Sequence, residues 1–120
     1  MIKILVIDDD ELVKNMISSV LRKNNFEVVS ASNGVEGVNV AKKVEPNIVL
    51  TDMLMPDKEG VETIIEVKQA LPEVKVIAMS GGGQEKNMTF LQMAKKVGAD
   101  CVLQKPFKPS DLVSMIKEMV

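Results

Sequence analysis

Two groups of aspartates stand out as residues that could bind a metal ion or act as nucleophiles. Asp8, Asp9 and Asp10 are adjacent in sequence, and Asp52 lies just ahead of Pro56. Adjacent carboxylates repel one another, and a hard cation such as Mg²⁺ or Ca²⁺ relieves that repulsion by taking oxygen ligands. Beside such a cation, a carboxylate oxygen can accept a phosphoryl group. Asp52 taken alone could equally be a solvated loop carboxylate, and Asp10 could be a helix cap. The secondary structure predicted around each aspartate distinguishes between these roles.

Short apolar stretches precede both groups of aspartates and predict strands. Stretches of this length with β-branched residues are typical of strands buried on both faces of a sheet. The predicted strands are Lys3–Ile7, Glu27–Ala31, Ile48–Leu50, Val74–Met79 and Cys101–Leu103. Apolar residues at helical spacing and helix boundary signals predict helices over Glu11–Asn24, Asn33–Val44, about Lys58–Leu71, about Glu85–Val97 and from Pro109 onward.

Five strands alternating with five helices predict an α/β fold in one domain, residues 1–120. Parallel neighbours need right-handed crossovers, so the helices cover both faces of a parallel sheet. We expect the flavodoxin-like, doubly wound (βα)5 arrangement with strand order 2-1-3-4-5. This order sets the first strand beside the third, so that Asp8 and Asp9 converge with Asp52. Ser80 ends the fourth strand and Lys105 the fifth, at the same edge.

The helices carry several local predictions. Asp10 suits the N-cap of the first helix. Gly60 indicates close backbone packing near the start of the third helix, and Gly98 suits the position that follows the end of the fourth. The third helix is expected to bury Val61, Ile64, Ile65 and Leu71.

Composition excludes several other kinds of chemistry. The chain of 120 residues has no His, Trp or Tyr. Without His, the Ser–His and Cys–His nucleophile pairs and most zinc sites are excluded. The net charge of −2 and the scarcity of aromatic residues argue against direct nucleic-acid binding. No apolar run approaches the roughly 20 residues of a membrane span, and no export leader precedes the first strand, so we expect a cytoplasmic protein without a membrane partner.

Four short motifs at four successive strand ends resemble those of a known family. Together they resemble the receiver domain of two-component response regulators, in the single-domain arrangement of chemotaxis regulators, over essentially the whole chain. The motifs are VIDDD at residues 6–10, TDMLMP at 51–56, MSG at 79–81 and QKPF at 104–107. The resemblance implies a phosphoprotein that catalyses only its own phosphorylation and dephosphorylation, and so is not an enzyme toward other substrates.

The resemblance assigns the acidic residues position by position. Asp52 matches the phosphoacceptor aspartate. Asp9 matches the residue that ligates Mg²⁺, or Mn²⁺, directly, together with Asp52 and the backbone carbonyl of Leu54. Asp8 matches the residue that acts on the metal through a water molecule.

The same resemblance identifies a phosphoryl-binding and switch group. Ser80, with Gly81 beside it, matches the hydroxyl residue that turns toward the phosphoryl group, and Lys105 matches the lysine that pairs with it. Val102 falls where the family usually has an aromatic switch residue, so a smaller repacking is expected there. Pro106 matches a proline that follows a cis peptide bond in the family.

Partners also follow from the resemblance. The phosphoryl group is expected from a sensor histidine kinase or a histidine phosphotransfer protein, since the chain has no His of its own. An output protein, which the sequence does not identify, is expected to bind the surface of the fourth helix, fifth strand and fifth helix. The chain itself is expected to be a monomer or a weak homodimer.

Three other readings compete with this one. A phosphatase of the haloacid dehalogenase type would use Asp8 as nucleophile and Asp10 as acid/base. A degenerate receiver would act only as a protein-interaction scaffold. A flavodoxin-like cofactor binder would need aromatic side chains beside a flavin, and the chain has almost none.

Overall fold

A five-stranded parallel sheet organises the chain, and the strand order is the predicted one, β2-β1-β3-β4-β5. The computed structural model describes residues 1–53, 60–80 and 92–120. The strands are β1 (Lys3–Ile7), β2 (Glu27–Ala31), β3 (Ile48–Asp52), β4 (Lys75–Ser80) and β5 (Cys101–Gln104). The helices are α1 (Glu11–Lys23), α2 (Gly34–Val44), α3 (Gly60–Ala70), α4 over residues 92–97, and α5 (Pro109–Met119).

Some predictions fall outside the described residues. These are the beginnings of the third and fourth predicted helices and two assigned residues, Leu54 and Gly81. Among the described helices, none has the length and apolar character that crossing a bilayer requires.

Alternating side chains of the central strands fill two apolar cores, one on each face of the sheet. On one face Leu5 and Ile7 pack with residues of α2, α3 and α4. On the other, Ile4 and Val6 pack with residues of α1 and α5. Both β1 and β3 are buried on both faces of the sheet. This explains why their sequences are apolar runs without alternating polar residues. In β3 the polar residues Thr51 and Asp52 lie at the carboxyl end, and Asp8 directly follows the carboxyl end of β1.

Helix ends follow local capping chemistry. Asp10 is the N-cap of α1, as predicted, and its side chain accepts hydrogen bonds from the backbone N–H groups of Leu12 and Val13. Asn33 caps α2 by accepting from the Glu36 N–H. At the other end of α2, Glu45 adopts a left-handed conformation with φ of 48°.

The buried side of α3 differs from the prediction. Ile64 is buried as predicted, but Ile65 is 37% exposed and was wrongly placed in the core. The inward residues are Gly60, Thr63, Ile64 and Val67, which recur at the spacing of one helical face. Gly60 faces the end of β3 at very short range, and this approach sets the rotation of the helix.

Candidate functional site

Three carboxylates meet at the carboxyl edge of β1 and β3. Ile7 pairs with Thr51 in the sheet, so the residues that follow them, Asp8 and Asp52, become neighbours. One carboxylate oxygen from each of Asp8, Asp9 and Asp52 lies within 4.8 Å of the others. Asp8 is fully buried, Asp52 is 7% exposed and Asp9 is exposed. The cluster therefore opens toward solvent through Asp9.

Both oxygens of Asp8 already have partners. The backbone N–H of Asp10 donates to Oδ1 at 2.9 Å, and the Lys105 ammonium donates to Oδ2 at 3.0 Å. The backbone N–H of Asp8 donates to the carbonyl of Ala31, which ties β1 to β2. Asp8 is thus a buried, charge-paired residue with a fixed orientation.

Lys105 lies between two of the carboxylates. Its Nζ is 3.0 Å from Asp8 Oδ2 and 3.8 Å from Asp52 Oδ1. Its backbone N–H donates to the Ser80 carbonyl at 2.7 Å, continuing the pairing of β4 with β5. The Lys105–Pro106 peptide bond is cis. The lysine therefore reaches the site from a backbone that is anchored to β4.

Asp52 combines an anchored carboxylate with an unfavourable environment for its charge. The backbone N–H of Met53 donates to Asp52 Oδ1 at 3.0 Å. The pKa of Asp52 is raised from 3.8 to about 6, because burial and the charges of Asp8 and Asp9 outweigh the opposite effects of Lys105 and the Met53 N–H. Asp52 is therefore mostly ionised at neutral pH, and a positive charge placed beside it would stabilise that ionised form.

Ser80, the last residue of β4, has a polar side chain that is buried without a hydrogen bond among the described residues. The side chain is fully buried, and its Oγ has no hydrogen-bond partner among the described residues. Leaving a buried hydroxyl unpaired costs about 1–3 kcal/mol. Because Met79 pairs with Asp52 in the sheet, Ser80 lies one residue beyond the level of Asp52, at the same edge.

The donor set fits a small hard cation. Mg²⁺ prefers carboxylate oxygens and keeps several of its waters, so it needs only one or two direct protein carboxylates. Asp9 is exposed and Asp52 is near it, and these two would hold the ion directly. Since Asp10 N–H and Lys105 already engage both oxygens of Asp8, contact through a water suits that residue better.

The predicted site residues in the described part of the chain fall into two groups. Asp8, Asp9, Asp52 and Lys105 surround one point, with Ser80 at the same edge. Val102 is half-buried in β5, where it packs against the core shared with α2, α3 and α4. It does not join the polar cluster, which is consistent with a packing role.

Several contributors were missed because they are backbone groups. The Met53 and Asp10 N–H groups orient Asp52 and Asp8, and any residue except proline could supply them. Lys14 was also not identified from the sequence; it is a buried cation whose side chain contacts Ser32 and Glu11 rather than the aspartate cluster. It lies on the buried face of α1, and its Nζ contacts Ser32 Oγ at 2.7 Å and Glu11 Oε2 at 2.6 Å. Its spacing from Ile17 and Leu21 was the available signal.

The phosphatase reading fits this geometry poorly. Asp8, its nucleophile, is fully buried and engaged by Lys105. Asp10, its acid/base, uses Oδ1 to cap α1. Asp52, by contrast, retains some exposure beside the open side of the cluster.

Comparison with known proteins gives one consistent result. The family model described as the response regulator receiver domain matches residues 4–117. Chemotaxis protein CheY of Halobacterium salinarum is 32% identical over 119 residues, which cover 98% of this chain and 96% of the relative. Sporulation initiation phosphotransferase F of Bacillus subtilis is 28% identical over 116 residues, which cover 97% of this chain and 91% of the relative. The crystal structure of a CheY-like receiver domain protein from Methanospirillum hungatei superposes with a TM-score of 0.90 at 30% identity, covering 99% of this chain and 93% of that one.

Proposed function

This chain belongs to the response regulator receiver domain family, and from that premise we propose that Asp52 accepts a phosphoryl group from a phosphohistidine. The donor is a sensor histidine kinase or a histidine phosphotransfer protein. One relative bears the name of a phosphotransferase, which supports this class of chemistry. The observation that carries the proposal is the convergence of Asp8, Asp9 and Asp52 with Lys105 at one point.

In the proposed transfer, a bond forms between an Asp52 carboxylate oxygen and phosphorus as the phosphorus–nitrogen bond of the donor breaks. The electron pair of that bond remains on the imidazole nitrogen. Mg²⁺, or Mn²⁺, would neutralise charge on the phosphoryl oxygens. Asp9, Asp52 and the backbone carbonyl of Leu54 would hold the ion directly, and Asp8 through a water. Once the phosphoryl group is on Asp52, Lys105 would pair with it and the Ser80 hydroxyl would turn toward it.

Lys105 and Ser80 supply contacts that differ between the two states. Before transfer, the Lys105 ammonium is 3.0 Å from Asp8 and 3.8 Å from Asp52. A phosphoryl group adds negative charge and strong acceptors at Asp52, which draws Lys105 toward it. The Ser80 hydroxyl, which has no partner among the described residues, would gain an acceptor at the same time. Such differential contacts are what allow phosphorylation to shift a conformational equilibrium.

The backbone offers a path from the site to the surface. The Lys105 N–H donates to the Ser80 carbonyl, so the ends of β4 and β5 move together. We propose that this movement, with Gly81 beside Ser80, alters the surface of α4, β5 and α5, where an output protein binds. Val102 takes part by repacking against the core, since no aromatic residue stands at that position.

We further propose that residues 1–120 act as a single receiver domain in the cytoplasm. It would modify itself without acting enzymatically on other substrates, and it would be a monomer or a weak homodimer. Direct binding to nucleic acid or membrane is not part of the proposal.

Intact mass spectrometry after incubation with Mg²⁺ and acetyl phosphate tests the proposal. The parent should gain one phosphoryl group, and Asp52→Asn or a chelator should abolish the gain. Asp10→Asn is the matched control, because asparagine also caps helices and the other aspartates remain.

Two other outcomes would favour the alternative functions. Labelling that persists in Asp52→Asn and is lost in Asp8→Asn would point to the phosphatase reading. Absence of labelling from both acetyl phosphate and a phosphohistidine donor would leave the scaffold reading.

A further inference from the structure

Met53, the residue after Asp52, connects the site to two neighbouring elements. It is buried, and its backbone N–H lies 2.9 Å from the Met79 carbonyl and 3.0 Å from Asp52 Oδ1. Its carbonyl accepts a hydrogen bond of 3.0 Å from the N–H of Gly60, the first residue of α3. The backbone of Met53, whose N–H orients the Asp52 carboxylate, is therefore bonded to β4 through that N–H and to α3 through its carbonyl.

Gly60 approaches the backbone of Asp52 and Met53 more closely than a residue with a Cβ could without displacing it. A Cβ at Gly60 would lie 2.6 Å from Met53 Cα, 2.7 Å from the Asp52 carbonyl oxygen and 3.0 Å from Met53 Sδ. Two of these three atoms belong to the backbone, so they can give way only if the end of β3 moves. Gly60 does not have the positive φ that favours glycine. Close approach is thus the reason for a glycine at this position.

We propose that Gly60 is a positioning residue for the metal and phosphoryl chemistry at Asp52. By letting α3 pack directly on the backbone of Asp52 and Met53, it holds in place the residue whose N–H orients the Asp52 carboxylate. This inference rests on the proposed function, since it concerns how the same site is held.

Gly37 provides a matched control within the same fold. It is also a buried helical glycine, in α2. Its N–H donates a hydrogen bond of 2.8 Å to the Asn33 carbonyl. The three atoms nearest to a Cβ at Gly37 would all be side-chain carbons of Ile7, including Cδ1. A side chain can rotate where a strand backbone cannot. Alanine at Gly37 should therefore affect core packing while leaving the backbone of the site in place.

The test compares Gly60→Ala with Gly37→Ala, each shown to be folded by far-ultraviolet circular dichroism. Mg²⁺ affinity is measured by isothermal titration calorimetry, and the labelling rate is measured with acetyl phosphate. Removing the support of a metal ligand typically weakens binding by about 10- to 100-fold. We expect a loss of that size in both quantities for Gly60→Ala, and parental values for Gly37→Ala.

The outcomes separate this inference from the proposed function. If the parent binds and labels, but Gly60→Ala does so equally well, the positioning role is wrong while the function stands. An equal loss in Gly37→Ala would also overturn it, because the effect would then be general to core packing. A parent that neither binds Mg²⁺ nor labels would refute the proposed function itself.

Nuclear magnetic resonance of the parent keeps the inference testable if Gly60→Ala does not fold. Adding Mg²⁺ should shift the backbone amide signal of Gly60, which is bonded to Met53, much more than that of Gly37, which is bonded within α2. A Gly60 signal that stays in place at saturating Mg²⁺ would overturn the inference.

Discussion

Replacing Asp52 with asparagine should stabilise the metal-free protein at neutral pH. Burial raises the pKa of Asp52 from 3.8 to about 6, against the opposing attraction of Lys105. At about 1.4 kcal/mol per pKa unit, ionising this carboxyl in the folded protein is unfavourable by about 3 kcal/mol. The side chain is 11% exposed, so solvent screening lowers the figure slightly. We expect the free energy of unfolding of Asp52→Asn to exceed that of the parent by about 2–3 kcal/mol at pH 7.

The sign of the pH dependence follows from the raised pKa. The folded protein holds a proton on Asp52 up to about pH 6, whereas the unfolded chain loses it near 3.8. The destabilisation by Asp52 is therefore complete above about pH 6 and absent below the unfolded value. The difference in the free energy of unfolding between variant and parent should stay nearly constant from pH 7 to about pH 6 and shrink as the pH falls from there toward 4. This difference is measured by urea unfolding in the presence of a chelator. The unfolding is followed by far-ultraviolet circular dichroism, because the chain has no Trp or Tyr.

Asp100→Asn is a control of opposite sign. Burial alone would raise the pKa of Asp100, but the Val76 N–H and Lys68 bonded to it lower the pKa overall. Its stabilising effect is thus present at neutral pH and is lost on acidification, so Asp100→Asn should be less stable than the parent at pH 7. The reasoning about Asp52 is refuted if Asp52→Asn is no more stable than the parent at pH 7, or if their gap does not change with pH. Saturating Mg²⁺ should also narrow the gap, since it binds the ionised parent.

Three further predictions concern single residues. Lys105→Met should abolish stable phosphoryl labelling. It should also lower the free energy of unfolding by about 3 kcal/mol, because it leaves the buried Asp8 charge unpaired. The double variant of Lys105→Met with Asp8→Asn should recover most of this stability, and failure to do so would contradict the pairing. Asp10→Ala should cost about 1 kcal/mol through loss of the α1 cap while Asp10→Asn costs little, and equal losses in urea unfolding would argue against capping. Glu45→Gly should raise the melting temperature, with a gain of about 1 kcal/mol, because glycine adopts the left-handed conformation at φ of 48° without strain; an unchanged melting temperature would show that Glu45 makes a compensating contact.

The architecture and the acidic site could be predicted because both depend on strand burial. Runs such as Ile4 to Ile7 have no polar alternation, which requires cover on both faces and hence a parallel sheet with helices on each side. Once the strand order is set, the residues after β1 and at the end of β3 are forced together. Asp8, Asp9 and Asp52 follow from that topology without knowledge of any side-chain contact.

Helix rotation was less predictable, since apolar residues occur on more than one face of these helices. Ile65 looked like a core residue, but α3 turns toward the sheet along Gly60, Thr63, Ile64 and Val67. A glycine and a threonine contribute little to an apolar pattern. Their inward position is decided by the close approach of Gly60 to Met53, which is a property of the assembled backbone.

The unfavourable features of the site share one physical explanation. Asp52 is ionised where burial disfavours charge, and Ser80 has a buried hydroxyl without a partner among the described residues. Each of these features, as far as the described residues show, is unfavourable in the metal-free, unphosphorylated protein, and the proposed function would relieve each: a cation would bind beside Asp52, and phosphoryl oxygens would offer Ser80 an acceptor. A ligand shifts a conformational equilibrium only as far as its contacts differ between the states. Groups left unsatisfied in one state and satisfied in the other are the source of that difference, so the residues that weaken the resting fold are those expected to drive the switch.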